Sequence, residues 1–124
     1  MRELVKAFKA LSDETRLRIL NILLERECCV CEVMQALDIS QTRASRNLGI
    51  LHDAGFLKLR KEGLWSLYSI DKEGMNDYLS DMVEAATKVL ESSKVAKLDR
   101  GCLKGVSRVG PTCAEKIRGE KVGI

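Results

Sequence analysis

The chain has 124 residues, of which 45% are hydrophobic, and a formal net charge of +3. This length is enough for one domain with a single core. No run of about 18 apolar residues occurs and charged residues stand at the N-terminus, so we expect neither a membrane span nor a signal peptide. We therefore expect a cytoplasmic protein that does not bind membranes.

Charge is distributed unevenly along the chain. Residues 39–61 carry five basic groups and one acidic group, whereas residues 62–94 carry three basic and seven acidic groups. A basic segment beside acidic ones is typical of a surface that binds a polyanion such as DNA. Chance clustering of charges on solvated faces is the alternative.

Hydrophobic periodicity predicts two packed helices at the N-terminus. Leu4, Phe8 and Leu11 follow the i, i+4, i+7 spacing of one helix face. Ser12 is a candidate cap for a second helix, which is rich in leucine and isoleucine.

A helix-turn-helix pattern follows. We predict a short helix over residues 29–37, a turn that ends at Ser40, and a second helix over residues 41–53 that stops before Gly55. The apolar stripe of the second helix consists of Ala44, Leu48 and Leu51, so its polar residues point outward. A plain helical hairpin is the alternative. The residues that we expect to contact DNA bases or phosphates are Ser40, Gln41, Thr42, Arg43, Ser45 and Arg46.

Beyond Gly55 the sequence period changes from helical to alternating. Residues 56–60 and 64–70 read as two strands, joined by a turn over residues 61–63 that contains glycine. This hairpin would form a wing, with Arg60 and Lys61 at its tip as further candidate DNA contacts. The predicted fold is therefore mainly α, a winged helix-turn-helix with one β-hairpin.

A long helix is predicted over residues 72–94. Its apolar residues have the 4-3-4-3 spacing of a seam between two helices, and they are Met75, Leu79, Met82, Ala86 and Val89. We expect a homodimer that forms through the terminal helices. Packing of the seam against the first helix of the same chain is the alternative.

The composition changes after residue 94, where glycines and the only proline interrupt a charged stretch. The sequence therefore predicts a DNA-binding and dimerisation domain over residues 1–94 and a flexible tail over residues 95–124. The tail contains Cys102 and Cys113.

Three thiols lie within four positions, at Cys28, Cys29 and Cys31. Thiolates select soft or borderline ions, so the cluster indicates a metal or redox site more than a set of small buried residues. On a straight helix residues 29 and 31 stand about 200° apart, whereas residues 28 and 31 share a face. We therefore expect Cys28 and Cys31 to lie together and ligand binding to strain this helix.

The motifs in this region resemble those of a known family. The pattern Ser40-Gln41-x-x-x-Ser45-x-x-Leu48-x-x-Leu51-x-x-Ala54-Gly55, followed by Arg60-Lys61-x-Gly63 and Tyr68, resembles the ArsR/SmtB family of dimeric winged-helix repressors. The resemblance covers roughly residues 3–94. The segment Cys29-Val30-Cys31-Glu32-Val33 resembles the C-V-C-D-L box of arsenite-responsive and of cadmium/lead-responsive members. Met34 stands where arsenite sensors often have a third cysteine, and Asn47 stands where the family often has a histidine.

The resemblance implies a repressor that binds double-stranded operator DNA as a homodimer and leaves it when As(III) or Sb(III) binds cysteine thiolates. The candidate ligands are Cys28, Cys29, Cys31, Cys102 and Cys113, with Cys28 favoured over the tail cysteines as the third ligand. The alternatives are a response to Cd(II) or Pb(II), or to thiol oxidation or persulfide formation on the same scaffold.

The sequence lacks features that a zinc sensor or a thiol enzyme needs. The long helix has no histidine of the kind that SmtB-like zinc sensors use, and we expect His52 on the surface or against the wing. The sequence has neither a phosphate-cradling loop nor the strand-helix-strand pattern of thiol oxidoreductases, so we do not expect an enzyme.

Overall fold

The computed structural model describes residues 1–108 as a winged helix-turn-helix, which confirms the predicted fold class. In chain order the elements are α1 (Arg2–Leu11), α2 (Glu14–Glu25), β1 (Cys28–Cys29), α3 (Val30–Leu37), α4 (Gln41–Asp53), β2 (Leu57–Glu62), β3 (Trp65–Ile70), α5 (Asp77–Leu90) and α6 (Lys94–Leu103). The strands form one antiparallel sheet in the order β1, β3, β2. Among the described residues no helix has the length and apolarity that a bilayer span needs.

Side-chain caps set where the helices of the DNA-binding motif begin. The Ser40 hydroxyl accepts a hydrogen bond from the backbone N–H of Arg43 at 3.1 Å, as predicted for the start of α4. The predicted cap of α2 is wrong by one residue, because the Asp13 carboxylate accepts from the N–H of Arg16 while Ser12 donates back to the carbonyl of Lys9.

The wing hairpin has a third strand that the sequence did not predict. β1 pairs with β3, so that Cys28 lies opposite Tyr68 and Cys29 lies opposite Leu67. The turn of the hairpin is one residue later than predicted, because Glu62 still pairs with Trp65. Gly63 supplies the positive φ of +61° that this two-residue turn requires.

The helices pack around one main core to which α2, α3 and α4 contribute most of the buried residues. Its largest fully buried side chains include Phe56, Ile19, Leu20, Ile22, Leu48 and Leu51. A second, smaller cluster lies on the other side of β1 and consists of Cys29, Cys31 and Leu67, with Trp65 packed against it. The core thus supports the second helix of the motif from behind.

Helix α5 is shorter than predicted, because Asn76 caps it and its first residue is Asp77. The predicted seam does not lie on one exposed face. Leu79 is buried in the main core, whereas Val89 is 69% exposed. The chain thus uses part of the seam internally and leaves its C-terminal end exposed.

The prediction of a flexible tail from residue 95 is wrong for residues 95–103, which form most of α6. Helix α6 packs on α2 and α3 with Ala96, Asp99 and Leu103 buried. The predicted tail looked polar because one of its inward residues is the carboxylate Asp99, which Arg18 of α2 pairs at 2.8 and 2.9 Å. The part of the predicted tail beyond residue 108 lies outside the described residues.

Candidate DNA-binding surface and thiol site

Helix α4 presents a polar face to solvent. Ala44, Leu48 and Leu51 are buried as predicted, and the exposed residues along the N-terminal half of the helix are Ser40, Gln41, Thr42, Arg43, Ser45 and Arg46. The side chain of Arg46 makes no hydrogen bond or ion pair with any residue from 1 to 108. The Arg43 side chain is held at its tip, because one guanidinium nitrogen donates to the hydroxyl of Thr15 at 2.8 Å.

A buried polar network that the sequence did not reveal fixes α4 against the first two helices. The amide oxygen of Asn47 accepts from Arg16 at 2.9 Å, and its amide nitrogen donates to the carbonyl of Arg43 at 2.8 Å. Arg16 also donates to the carbonyls of Lys9 and Ala10, which end α1. Asn47 therefore sets the rotation of α4 and is not available to solvent.

The wing carries its two predicted basic residues in different settings. Arg60 donates to both carboxylate oxygens of Glu27 at 2.7 and 2.8 Å and to Glu62 at 3.2 Å. Lys61 donates only to the hydroxyl of Ser66 at 2.8 Å. Lys61 is thus available to a phosphate, whereas Arg60 would first have to leave Glu27.

Cys29 and Cys31 form a close pair where β1 joins α3. Their sulfur atoms are 2.8 Å apart, and the two residues are only 3% and 2% exposed. Cys29 reaches Cys31 because its backbone is extended (φ −83°, ψ 169°) as the N-cap of α3. Burial, together with the hydrogen bond to Cys31, raises the pKa of the Cys29 thiol to about 12.

A buried carboxylate, Glu32, organises the backbone beside this pair. It accepts from the N–H of Cys29 at 2.9 Å, and from Arg26 at 2.7 Å and Arg108 at 3.2 Å. Burial alone would raise the pKa of Glu32, but these three hydrogen bonds lower it overall. Glu32 therefore keeps its charge and holds Cys29 in the extended conformation that brings the two sulfurs together.

The other cysteines do not join the pair among the described residues. The prediction that Cys28 and Cys31 share a helix face is wrong, because Cys28 is in β1 and its side chain belongs to the main core, on the opposite side of the strand from Cys29. Burial raises the pKa of Cys28 to about 12 as well. Cys102 is exposed on α6, and Cys113 lies outside the described residues.

No third ligand completes the pair within residues 1–108. That part of the chain contains no group of three or more histidine, cysteine, aspartate or glutamate side chains arranged to hold a metal ion. His52 lies instead edge-on to Tyr68 of the wing, with ring centroids 6.4 Å apart, in line with the wing-packing position expected for it.

Comparison of the amino-acid sequence with those of known proteins identifies its family. The sequence profile of the bacterial regulatory protein, arsR family, matches residues 13–59. The chain is 42% identical over 85 residues to the cadmium resistance transcriptional regulatory protein CadC homolog of Staphylococcus aureus. The aligned residues cover 68% of this chain and 67% of that protein. It is 35% identical over 82 residues to the arsenical resistance operon repressor of Bacillus subtilis, and the aligned residues cover 65% of this chain and 78% of that protein. The chain belongs to the ArsR family.

The structure also resembles a solved structure of this family. The homodimeric winged helix-turn-helix DNA-binding domain of Mb0332 from Mycobacterium bovis, described as a possible ArsR-family regulator, superposes with a TM-score of 0.62 at 26% identity, covering 75% of this chain and 82% of that one. The protein is thus an ArsR-family metalloregulatory transcriptional repressor with a DNA-binding winged helix, and its family is not one of enzymes.

Helices α1 and α5 carry exposed apolar side chains. On α1 these residues are Leu4, Val5 and Phe8, which is 57% exposed, and on α5 they are Tyr78 and Val89. The first and fifth helices therefore leave apolar surface uncovered in the single chain.

Proposed function

We propose that the protein is a homodimeric repressor that leaves operator DNA when trivalent arsenic or antimony binds the sulfur atoms of Cys29 and Cys31. The contact between these two sulfurs at 2.8 Å carries the proposal. Two thiolates bound to one pyramidal ion through bonds of about 2.3 Å, at an angle of roughly 100°, stand roughly 3.5 Å apart. Binding would therefore push the two sulfurs apart by about 0.7 Å, and the elements that bear them must move.

The position of the pair couples that movement to both DNA-contacting elements. Cys29 is paired with Leu67 of β3, so it is part of the wing sheet. Cys31 lies in the first turn of α3, which packs directly on α4. No loop separates the two cysteines, so a ligand changes the angle between the wing and α4. A ligand that favours a geometry poorly matched to DNA lowers the affinity for DNA by linkage.

The surroundings of the pair favour arsenous acid over a divalent cation. The sulfurs are buried with Leu67 and Trp65. Arsenous acid is neutral and carries hydroxide groups, so each As–S bond that forms releases one water and adds no charge to the cluster. Cd²⁺ or Pb²⁺ would also give a neutral complex with the two thiolates, but the hydrated cation would have to shed its water to enter this buried site and two thiol protons would have to leave for solvent.

In the complex with operator DNA, the exposed face of α4 contacts bases and the wing contacts phosphates. Gln41, Thr42, Ser45 and Arg46 are the exposed polar residues in the half of the helix that enters a major groove in this motif. Lys61 is the wing residue best placed for a phosphate. The homodimer of the M. bovis relative and the uncovered apolar surface on α1 and α5 support binding to two half-sites.

The test is DNA release by reduced protein. Operator DNA is obtained by selection from a random-sequence pool, and release is followed by fluorescence anisotropy during separate titrations with As(III), Sb(III), Cd(II) and Pb(II). We expect the double variant Cys29→Ser, Cys31→Ser to bind DNA with near wild-type affinity and to stay bound at arsenite concentrations that release the wild type, since serine lacks the soft ligand atom. Release of the double variant at the wild-type arsenite concentration would contradict the proposal.

A second candidate is a thiol-redox repressor, which the short contact between Cys29 and Cys31 also favours. In that case a mild oxidant releases DNA without any metal, and a thiol reductant restores binding. The cadmium-resistance relative similarly supports Cd(II) as an alternative ligand. The same titrations separate these alternatives, because As(III) acts on the reduced protein in the absence of oxidant and of Cd(II).

A further inference from the structure

Helix α1 carries three cationic side chains on one face, which we call the basic stripe. They are Arg2, Lys6 and Lys9, which have the i, i+4, i+7 spacing of residues that share a helix face. All three residues are exposed, and none of the three side chains makes a hydrogen bond or an ion pair with any residue from 1 to 108. Neither the packing of the chain nor the DNA contacts assigned so far use these charges.

The basic stripe is separate from the other two faces of α1. Ala7 and Ala10 are buried against the core, whereas Leu4 and Phe8 are exposed apolar residues. At about 100° per residue, Lys6 stands about 100° from Ala7 and about 160° from Phe8 around the helix axis. A second copy of the chain can therefore pack on the apolar face without covering the basic stripe.

Arg16 fixes the end of α1 beside the middle of α4. Its guanidinium donates to the carbonyl oxygens of Lys9 at 3.1 Å and of Ala10 at 2.7 Å. It also donates to the amide oxygen of Asn47 at 2.9 Å. The last turn of α1, which contains Lys9, is thus held next to the residue that follows Arg46 on α4.

A cleft of about 530 Å³ lies between α1 and the C-terminal half of α4. The basic stripe lines it on the α1 side, and Ile50 and Asp53 line it on the α4 side. These two residues follow Arg46 by four and seven positions, so they continue the helix face on which Arg46 is exposed. The basic stripe therefore borders the face of α4 that carries the proposed base contacts.

The wing lies on the other side of α4 from this cleft. His52 of α4 meets Tyr68 of the wing with ring centroids 6.4 Å apart, whereas Ile50 faces the cleft. Two positions along a helix differ by about 200° around its axis, so α1 and the wing flank α4 on opposite sides. A helix in the major groove has a phosphate backbone on each side of it. The wing and α1 are thus placed beside different walls of the groove.

The charge of the cleft favours an anion. Four cationic side chains line it, those of the basic stripe and of Arg16, against the single carboxylate of Asp53. The Asp53 side chain is 71% exposed and its carboxylate lies 3.8 Å from Nδ1 of His52. Water therefore screens the one opposing charge, and the surface continues the positive potential of Arg46 along α4.

We propose that the basic stripe of α1 binds backbone phosphates of operator DNA, on the opposite wall of the major groove from the phosphates that the wing contacts. This inference rests on the proposed DNA contacts of α4. Helix α1 also carries the apolar face that the proposed dimer covers, so these phosphates lie between the two half-sites, toward the two-fold axis. Lys9 is nearest to the half of α4 that enters the groove, whereas Arg2 is about two turns further away. Lys9 therefore contributes most and Arg2 least.

The test is the salt dependence of operator binding by the triple variant Arg2→Gln, Lys6→Gln, Lys9→Gln in the reduced full-length protein. Each lost phosphate contact should reduce the slope of log K against log salt by about 0.9, so the variant should lose about 2–3 per protomer. The preference among base-substituted operators should stay that of the wild type, because phosphate contacts carry no sequence information directly.

The matched control is the triple variant Lys88→Gln, Lys94→Gln, Lys97→Gln. It removes the same number of exposed cations from α5 and α6, and α6 packs on α2 and α3. Its slope should change by less than about 0.9, which corresponds to less than one phosphate contact. An equal change in the two triple variants would show that only the net charge matters, which would overturn the inference.

Charge rescue separates phosphate binding from a structural role of α1. The double variant Lys6→Arg, Lys9→Arg keeps both charges and should keep the wild-type slope. The triple variant should sediment as a dimer like the wild type, because Leu4 and Phe8 are unchanged. Loss of self-association in the triple variant would show that the basic stripe acts in the dimer instead, and would contradict its assignment to DNA.

Single phosphates replaced by uncharged methylphosphonates locate the contacts. Replacements between the half-sites should weaken binding of the wild type and leave the triple variant of α1 unaffected. Equal sensitivity of the two proteins at every phosphate would overturn the inference.

The measurements also distinguish this inference from the proposed function. If Arg46→Ala weakens operator binding while the triple variant of α1 keeps the wild-type slope, the basic stripe is a solvated face or holds a small anion, and only this inference fails. If the wild type itself selects no operator sequence, the proposed function fails with it.

Discussion

Two arginine–carboxylate pairs of nearly the same geometry hold different parts of this molecule. Arg18 donates to both oxygens of Asp99 at 2.8 and 2.9 Å and ties α6 to α2, whereas Arg60 donates to both oxygens of Glu27 at 2.8 and 2.7 Å and ties the wing to the residue before the cysteine motif. The side chain of Asp99 is 5% exposed and that of Glu27 is 27% exposed. The two pairs therefore differ in burial and not in hydrogen-bond geometry, and we expect the buried pair to stabilise the fold more than the exposed pair does.

The largest expected difference between the pairs is in stability. Asp99→Ala should lower the free energy of unfolding by about 3 kcal/mol, because it leaves Arg18 without its partner in a largely buried site. Glu27→Ala should lower it by less than about 1 kcal/mol, because water replaces the exposed carboxylate. Urea unfolding followed by circular dichroism measures both. Equal losses for the two variants would contradict the distinction.

The next prediction contrasts Arg60 with an arginine that has no partner among residues 1–108. Arg46→Ala should cost about 1–3 kcal/mol of operator binding and relax the base preference, because Arg46 is exposed on α4 and unpaired there. Arg60→Ala should cost less, because Arg60 must leave Glu27 before it reaches a phosphate. Binding isotherms on operator and on base-substituted DNA give the loss of binding free energy for each variant. If neither variant changes affinity, α4 is not the groove-facing helix.

A smaller effect should appear when Glu27 releases Arg60. Glu27→Gln should make the dependence of log K on log salt steeper by about 1, because one more cation becomes available to a phosphate. Lys61→Ala should change the slope by about 1 in the opposite direction. The control is Glu27→Gln combined with Arg60→Ala, which should keep the slope of Arg60→Ala alone. A steeper slope in that double variant would rule out Arg60 as the released cation.

The smallest expected effect is a pH dependence of the exposed pair. The hydrogen bond from Arg60, against the opposing effect of burial, lowers the pKa of Glu27 from 4.5. Because the folded-state pKa is lowered, the pair contributes stability above pH 4.5, and this contribution is lost as the pH falls through the lowered pKa. NMR titration of the Glu27 carboxyl carbon checks the direction, and Arg60→Ala should return the pKa toward 4.5. A Glu27 pKa that does not respond to Arg60→Ala would show that the pair does not form in solution.

Local sequence signals predicted the elements whose buried stripe is apolar. The stripe of Ala44, Leu48 and Leu51 placed α4, and the alternation after Gly55 placed the wing. Helix α6 was missed because one of its inward residues is a charged aspartate. Asp99 is buried only because Arg18, 81 residues away in the sequence, neutralises it, and such a distant partner leaves no periodic signal.

The sequence shows which cysteines lie close together along the chain, but not which of their sulfur atoms meet in the fold. On the straight helix that the sequence predicts, Cys28 and Cys31 share a face and Cys29 stands about 200° from Cys31. The extended backbone of Cys29 depends on pairing with Leu67 of β3 and on the hydrogen bond to Glu32. The first of these is a contact between distant parts of the chain, so the spacing of the cysteines alone was not sufficient to predict it.

Trp65 packs against the cluster of Cys29, Cys31 and Leu67, and it is the only tryptophan in the chain. All indole emission of this protein therefore comes from the edge of the thiol site. A heavy atom bound to the sulfurs quenches a nearby indole, and a change in wing packing alters its exposure to water. The protein thus contains its own optical reporter, so ligand entry can be timed by stopped-flow fluorescence without any label and compared directly with the rate at which DNA is released.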